Sequence, residues 1–267
     1  MEQIAASPLE PPAAAGIVEV PFDAPWTWLA AGWRDLWSAP QISLLYGAVF
    51  TGLSATLFAG LLAGGAASLI LALAGGFLLV GPAAAVGLYE VSRRLELGRS
   101  SGGRLRLGEV LAEGFKAPGQ LGFFGAVLAF VYFVWVQLAL LLFMLFFGGQ
   151  NLPPASEFVA TLLLTNHGLG LLVAGTMVGG VLAAVVFAIS VISVPLLMTR
   201  RVDAVTAIAA SVTAVWRNPK PMALWAGLIA GFMVLGLASL FVGLVVLFPL
   251  IGHATWHAFR DVVRDAG

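Results

Sequence analysis

"QLGFFGAVLAFVYFVWVQLALLLFMLFF", residues 120–147, runs for about eight helical turns without one charged side chain. A helix needs about 20 consecutive apolar residues to cross the hydrocarbon of a bilayer. No backbone N–H or C=O can be left unpaired there, so an apolar run of this length predicts a membrane-spanning helix. Working outward, uncharged runs also cover 41–89, 120–156, 158–199 and 221–259. None alternates with a period of two, the mark of a membrane barrel. The expected fold class is therefore an all-α polytopic integral membrane protein.

Composition points the same way. The 267 residues are 60% hydrophobic and 10% charged, with a mean hydropathy of +1.01, whereas soluble domains carry about a quarter charged residues. The absence of cysteine excludes disulfides, thiolate metal sites, iron–sulfur clusters and covalently attached haem. The first stretch, "MEQIAASPLEPPAAAGIVEV", has neither a basic start nor a continuous apolar segment. It reads as no signal peptide, and residues 1–24 are expected to form a flexible polar tail ahead of one membrane domain over 25–263.

The basic residues suggest a topology. All 13 fall in four segments: Arg34; Arg93 to Lys116; Arg200 to Lys220; and Arg260 with Arg264. The positive-inside rule places such segments in the cytoplasm. That predicts six spans in a bacterial inner membrane, with both termini cytoplasmic. The run 158–199 is long for one crossing and is expected to break near "TNHG" (165–168). The run 221–259 is short for two and requires a tight hairpin near Gly236–Ser239.

Three segments share a pattern: "WRDLWSAPQISLLYG" (33–47), "LAEGFKAPGQLGFFG" (111–125) and "VTAVWRNPKPMALWA" (212–226). In each, an aromatic residue (Trp37, Phe115, Trp216) stands three residues before a proline, and a second aromatic six after it. Apolar residues precede each proline at helical spacing, as in Trp26, Leu29, Trp33 and Trp37. This describes an amphipathic helix lying in the membrane interface, and proline suits the first turn of the helix that follows. The expected architecture is three repeats of interfacial helix plus two-span hairpin, over about 25–98, 104–201 and 203–263. Trp33, Trp37, Phe115 and Trp216 are its interfacial anchors.

Polar chemistry is sparse. His253 and His257, in "GHATWHAFRD" (252–261), lie four apart on one helix face and are the candidate metal ligands, with Glu90 as a third. Ala254 stands where an HExxH motif has its general base, and the competing reading is hydrogen bonding across the bundle end. Glu90, Arg93, Arg94 and Arg260 are a candidate contact for a partner or a lipid headgroup; pairing within the helix is the simpler account. Gln137, Ser190 and Ser193 are polar groups within the membrane, but no acid or base sits at mid-depth, as ion-coupled transport would require. Gly60/Gly64, Gly175/Gly179 and Gly227/Gly231 offer close helix approach. No phosphate-binding loop, dinucleotide fingerprint or nucleophile triad occurs.

Three stretches together, "GLYEVSRRLELG" (87–98), "ISVISVPLLMTRRVDAVTAI" (189–208) and "GHATWHAFRDVV" (252–263), resemble a bacterial family of predicted integral membrane proteins, domain of unknown function 2189. The resemblance spans about 26–263 and implies a six-span inner-membrane protein of Gram-negative bacteria. It transfers no activity and no catalytic residue. The functional expectation is a non-enzymatic scaffold or accessory subunit, without cofactor. Its partners would be the lipid bilayer and either a membrane protein or further copies of itself, with no nucleic acid. The alternative is a permease or channel through the bundle axis, lined by Gln137, Ser190 and Ser193.

Overall fold

The computed structural model describes residues 16–64, 79, 81–98, 108, 118–148 and 155–264. The elements are α1 (Ala24–Ser38), α2 (Pro40–Ala63), α3 (Val86–Glu96), α4 (Pro118–Phe147), α5 (Ala155–Leu164), α6 (Asn166–Ser190), α7 (Ser193–Thr199), α8 (Ala204–Arg217), α9 (Pro219–Ala238) and α10 (Leu244–Val262). Four stretches are long and apolar enough to cross a membrane: Pro40–Ala63, Gly119–Phe147, Asn166–Thr199 and Pro219–Ala238. The expected second span, the second interfacial helix and the anchor Phe115 fall outside the described residues.

Local signals explain where helices start and stop. Pro40, Pro118 and Pro219 each open a helix, where a missing N–H costs nothing. The break expected near 165–168 lies between α5 and α6: the Thr165 hydroxyl accepts the Gly168 N–H at 3.0 Å and caps α6. Asp203 caps α8 in the same way through the Thr206 N–H. The hairpin from α9 to α10 is as tight as the short run demanded. Leu240 and Phe241 take φ of 53° and 70° to make it, a conformation that non-glycine residues adopt at a cost.

α10 departs from expectation. It is not among the helices apolar enough to cross a membrane. Leu244 to Ile251 is apolar, but His253, His257, Arg260 and Asp261 follow. This second half is buried in protein, packed against α1, α2 and α3. Its apolar half joins α2 through Tyr46, Phe50 and Phe248, with Phe50 and Phe248 ring centroids 4.8 Å apart. The two helices meet closely at Gly47, where a Cβ would lie 2.2 Å from the Val245 carbonyl oxygen. That carbonyl is the one that Pro249, four residues on, leaves without its helical N–H. Against α1, the close approach is at Gly32, over the backbone of Ala254.

The amphipathic helices bury a different face from the one their aromatics mark. α1 turns Trp28, Leu29, Gly32 and Leu36 into the protein and leaves Trp26, Trp33 and Trp37 outside, the last two edge to face at 5.6 Å. α8 buries small residues, Ala207, Ala210, Ser211 and Ala214, and exposes Val205 and Trp216. The expected tail is also only partly free-standing. Residues 1–15 lie outside the described residues, but Ile17 pairs with Val263 as an antiparallel bridge. Val20 donates its N–H to Asn218 Oδ1 at 2.8 Å. The reason is local: Ile17, Val18 and Val20 form a short extended stretch able to satisfy the end of α10 and the α8–α9 corner.

Candidate functional site: a hydrogen-bonded knot beside an apolar cleft

The polar half of α10 ends in a knot that ties four helices. His253 is wholly buried. Its Nε2 lies 2.9 Å from Ser43 Oγ on α2, and its Nδ1 lies 2.8 Å from Ser92 Oγ on α3. One turn on, His257 Nε2 lies 2.8 Å from Asp35 Oδ2 on α1. A neutral imidazole carries one ring proton, so of Ser43 and Ser92 one donates to the His253 ring and the other accepts from it. His253 thereby ties α2 to α3 through α10. Burial pushes the Asp35 carboxyl up. The contacts with His257 and Ser92, with the charge of His257, outweigh burial and hold it below the usual carboxylate range.

Around this knot lie ion pairs. Glu90, almost fully buried, receives Arg93 Nε at 2.7 Å and Arg94 Nε at 2.7 Å. Glu96 joins α3 to α10 by accepting from Arg260 Nε at 2.9 Å and from Trp256 Nε1 at 3.0 Å. Trp28 Nε1 donates to Asp261 Oδ2 at 3.0 Å. Of the residues offered from sequence as a headgroup contact, Glu90, Arg93 and Arg94 are engaged with one another and Arg260 with Glu96. The two histidines offered as metal ligands are each turned to a different helix. Among the described residues no group of three or more His, Cys, Asp or Glu is placed to hold a metal. Sequence reasoning missed Ser43, Ser92 and Asp35. Nothing in the sequence spacing marks those three as partners of the histidines.

Beside the knot, among α3, α6, α9 and α10, lies a partly open cleft of about 360 Å³. Gly180, Ala183 and Ala184 of α6 form one wall, and Ala226, Gly227 and Ala230 of α9 another. Pro82 and Phe248 also line it, and Tyr89, Ser190 and Thr255 are its polar side chains. None of the described residues lining it is Asp, Glu, Lys, Arg or His. Of the three polar residues expected along an axis, only Ser190 reaches it. Gln137 is exposed on the outside of α4. Ser193 is buried and spends its hydroxyl on the carbonyls of Ile189 and Ala207, at 2.6 and 3.0 Å.

A membrane bundle whose α3 and α6–α7 segments carry the first two sequence motifs can be set against known families. Residues 69–199 match the family of predicted integral membrane proteins DUF2189. The resemblance read from the sequence is borne out over this stretch. The DUF2189 match takes in "GLYEVSRRLELG" and the start of the second motif, and stops before "GHATWHAFRDVV". It thus includes Glu90, Ser92, Arg93, Arg94 and the α6 wall of the cleft, while α1 and α10, which complete the knot, lie beyond it. No curated protein and no solved structure matches the chain.

Proposed function

We propose that the chain is a six-span scaffold or accessory subunit of a bacterial inner membrane, with both termini in the cytoplasm. In this reading it acts through helix contacts and an interfacial collar, and it performs no catalysis. The observation that carries the reading is the knot: its histidines, serines and carboxylates are bonded between helices, so this polar chemistry serves assembly. The basic residues gathered in four segments support cytoplasmic ends. Three prolines opening helices, with exposed tryptophans on α1 and α8, support a threefold use of interfacial helix plus hairpin. In this scheme the residues between α2 and α3 supply the second crossing, and α10 supplies the sixth with its polar half sheltered by α1, α2 and α3.

The permease reading draws on the cleft, to which Ser190 contributes a hydroxyl. Its walls favour an apolar occupant over a hydrated solute. The deciding experiment is gentle detergent extraction from native membranes, followed by mass spectrometry of co-purifying proteins. A stoichiometric membrane partner supports the scaffold. A clean monomer or homo-oligomer removes that support and turns attention to solute uptake. Reporter fusions after Gly148 should report the periplasm, and fusions after Gly98 the cytoplasm; the reverse pattern overturns the topology.

A further inference from the structure

We infer that the cleft is a lipid site: it takes one acyl chain of a bilayer lipid, with the ester carbonyl of that chain at the hydroxyls of Tyr89 and Ser190. The inference rests on the chain being embedded in a membrane and is independent of the scaffold reading. Small residues on facing membrane helices ordinarily let the helices close on each other. Here the small faces of α6 and α9 both line the cleft, with Pro82 and Phe248 beside them, and about 360 Å³ remains open. The volume falls within the range of small-molecule sites. On α6 the lining residues run from Gly180 to Ser190, about 15 Å at the helical rise, a span that suits an extended chain.

The hydroxyls supply the second, independent observation. Tyr89 is 3% exposed and Ser190 2%, and both line the cleft. Neither has a hydrogen-bond partner among the described residues, whereas Thr255 spends its proton on the Ile251 carbonyl at 2.8 Å. The Tyr89 and Ser190 oxygens are not among the fully enclosed, unpaired side-chain atoms, where Trp225 Nε1 alone stands among the described residues, so both hydroxyls are open to the cleft. Two unpaired donors in an apolar cleft without a charge call for a neutral acceptor on an apolar body. An ester carbonyl on a hydrocarbon chain is that chemistry, and the bilayer supplies it at the highest concentration of any candidate.

The test uses the full chain in vesicles of phosphatidylethanolamine and phosphatidylglycerol. A trace of phosphatidylglycerol carries a diazirine midway along one acyl chain. After photolysis, labelled peptides are mapped by mass spectrometry. Label is expected to concentrate on 180–191 and 226–233, several-fold above the outward-facing Phe130 and Val173. Ala226→Trp, which fills the cleft, should cut cleft labelling at least fivefold and leave the outer sites unchanged. If that variant does not fold, the pair Tyr89→Phe with Ser190→Ala keeps the shape and removes both donors. It should lower cleft labelling about tenfold, the equivalent of about one hydrogen bond. Cleft peptides labelled no more than the outer sites, or indifferent to both variants, overturn the proposal. So does displacement of the label by a short-chain quinone but not by methyl oleate, which would assign the cleft to a ring headgroup. Co-purification of a partner bears on none of these outcomes.

Discussion

His253 shows how one side chain can join three helices. Replacing it with alanine removes the partner of both Ser43 and Ser92 and leaves a hole between α2, α3 and α10. Unsatisfied buried hydroxyls cost about 1–3 kcal/mol each, so His253→Ala should destabilise the protein by about 3 kcal/mol, read as thermal unfolding in detergent. Combining His253→Leu with Ser43→Ala and Ser92→Ala should recover part of that loss, because the polar groups disappear together. No recovery would mean that packing, not hydrogen bonding, is the role of the knot. Asp35 adds a dependence on pH. Its carboxyl is held below the usual range in the folded protein. Its contribution is therefore complete above the unfolded value of about 3.9 and is lost as pH falls through the lower folded value. Asp35→Asn should flatten the acid limb of a stability–pH profile below about pH 4 and leave the neutral region with a uniform offset. Little of this was legible in the sequence. The "HxxxH" spacing is visible to any reader, but Ser43, Ser92 and Asp35 lie 210, 161 and 222 residues from their histidines, and one sequence carries no signal at that range.

Among the elements, helices and breaks were legible because they follow from local chemistry: uncharged length, prolines at first turns, and a threonine cap at 165. Which face each helix buries was not. The aromatic stripe of α1 reads as the sticky side, yet the buried side is Trp28, Leu29, Gly32 and Leu36. The distinction is testable in one helix. Leu36→Asp places a charge in a fully buried position and should abolish folding. Trp37→Asp, next to it but half-exposed, should shift detergent stability by no more than about 0.5 kcal/mol. Equal losses would place both residues in the core. The glycine signals behaved alike. Of the spaced pairs, only Gly179 meets another helix among the described residues, at the Trp135 ring. Close backbone approaches fall instead at Gly47, the last residue of the repeated pattern at 33–47, and at Gly32, which belongs to no spaced pair. Gly47→Ala should push α2 off the Val245 carbonyl and cost about 1–3 kcal/mol, whereas Gly60→Ala, facing open space, should be silent in the same unfolding measurement.

At the scale of the whole molecule, the class was legible from hydropathy alone and the path of the chain was not. α10 looks from sequence like a last, short crossing. It is also the element against which α1, α2 and α3 all pack, and those helices enclose its polar half. The extended stretch before α1 belongs to this closure. Arg264 donates its N–H to the Gly16 carbonyl at 2.9 Å, and Val18 its N–H to the Val262 carbonyl at 2.9 Å. Removing residues 1–20 should therefore lower the unfolding temperature and speed proteolysis of the last turn of α10. An unchanged cleavage pattern would show that the pairing holds nothing in place.

The enclosure of α10 also sets an order of events during synthesis. Chains are made from the N-terminus, and early segments ordinarily fold as they emerge. Here Asp35, Ser43 and Ser92 reach the membrane long before the histidines that complete them. Until residues 244–264 arrive, the first helices hold unpaired polar groups in or near lipid. A chain truncated before residue 244 should therefore be degraded faster in cells than the full chain, as read by pulse–chase.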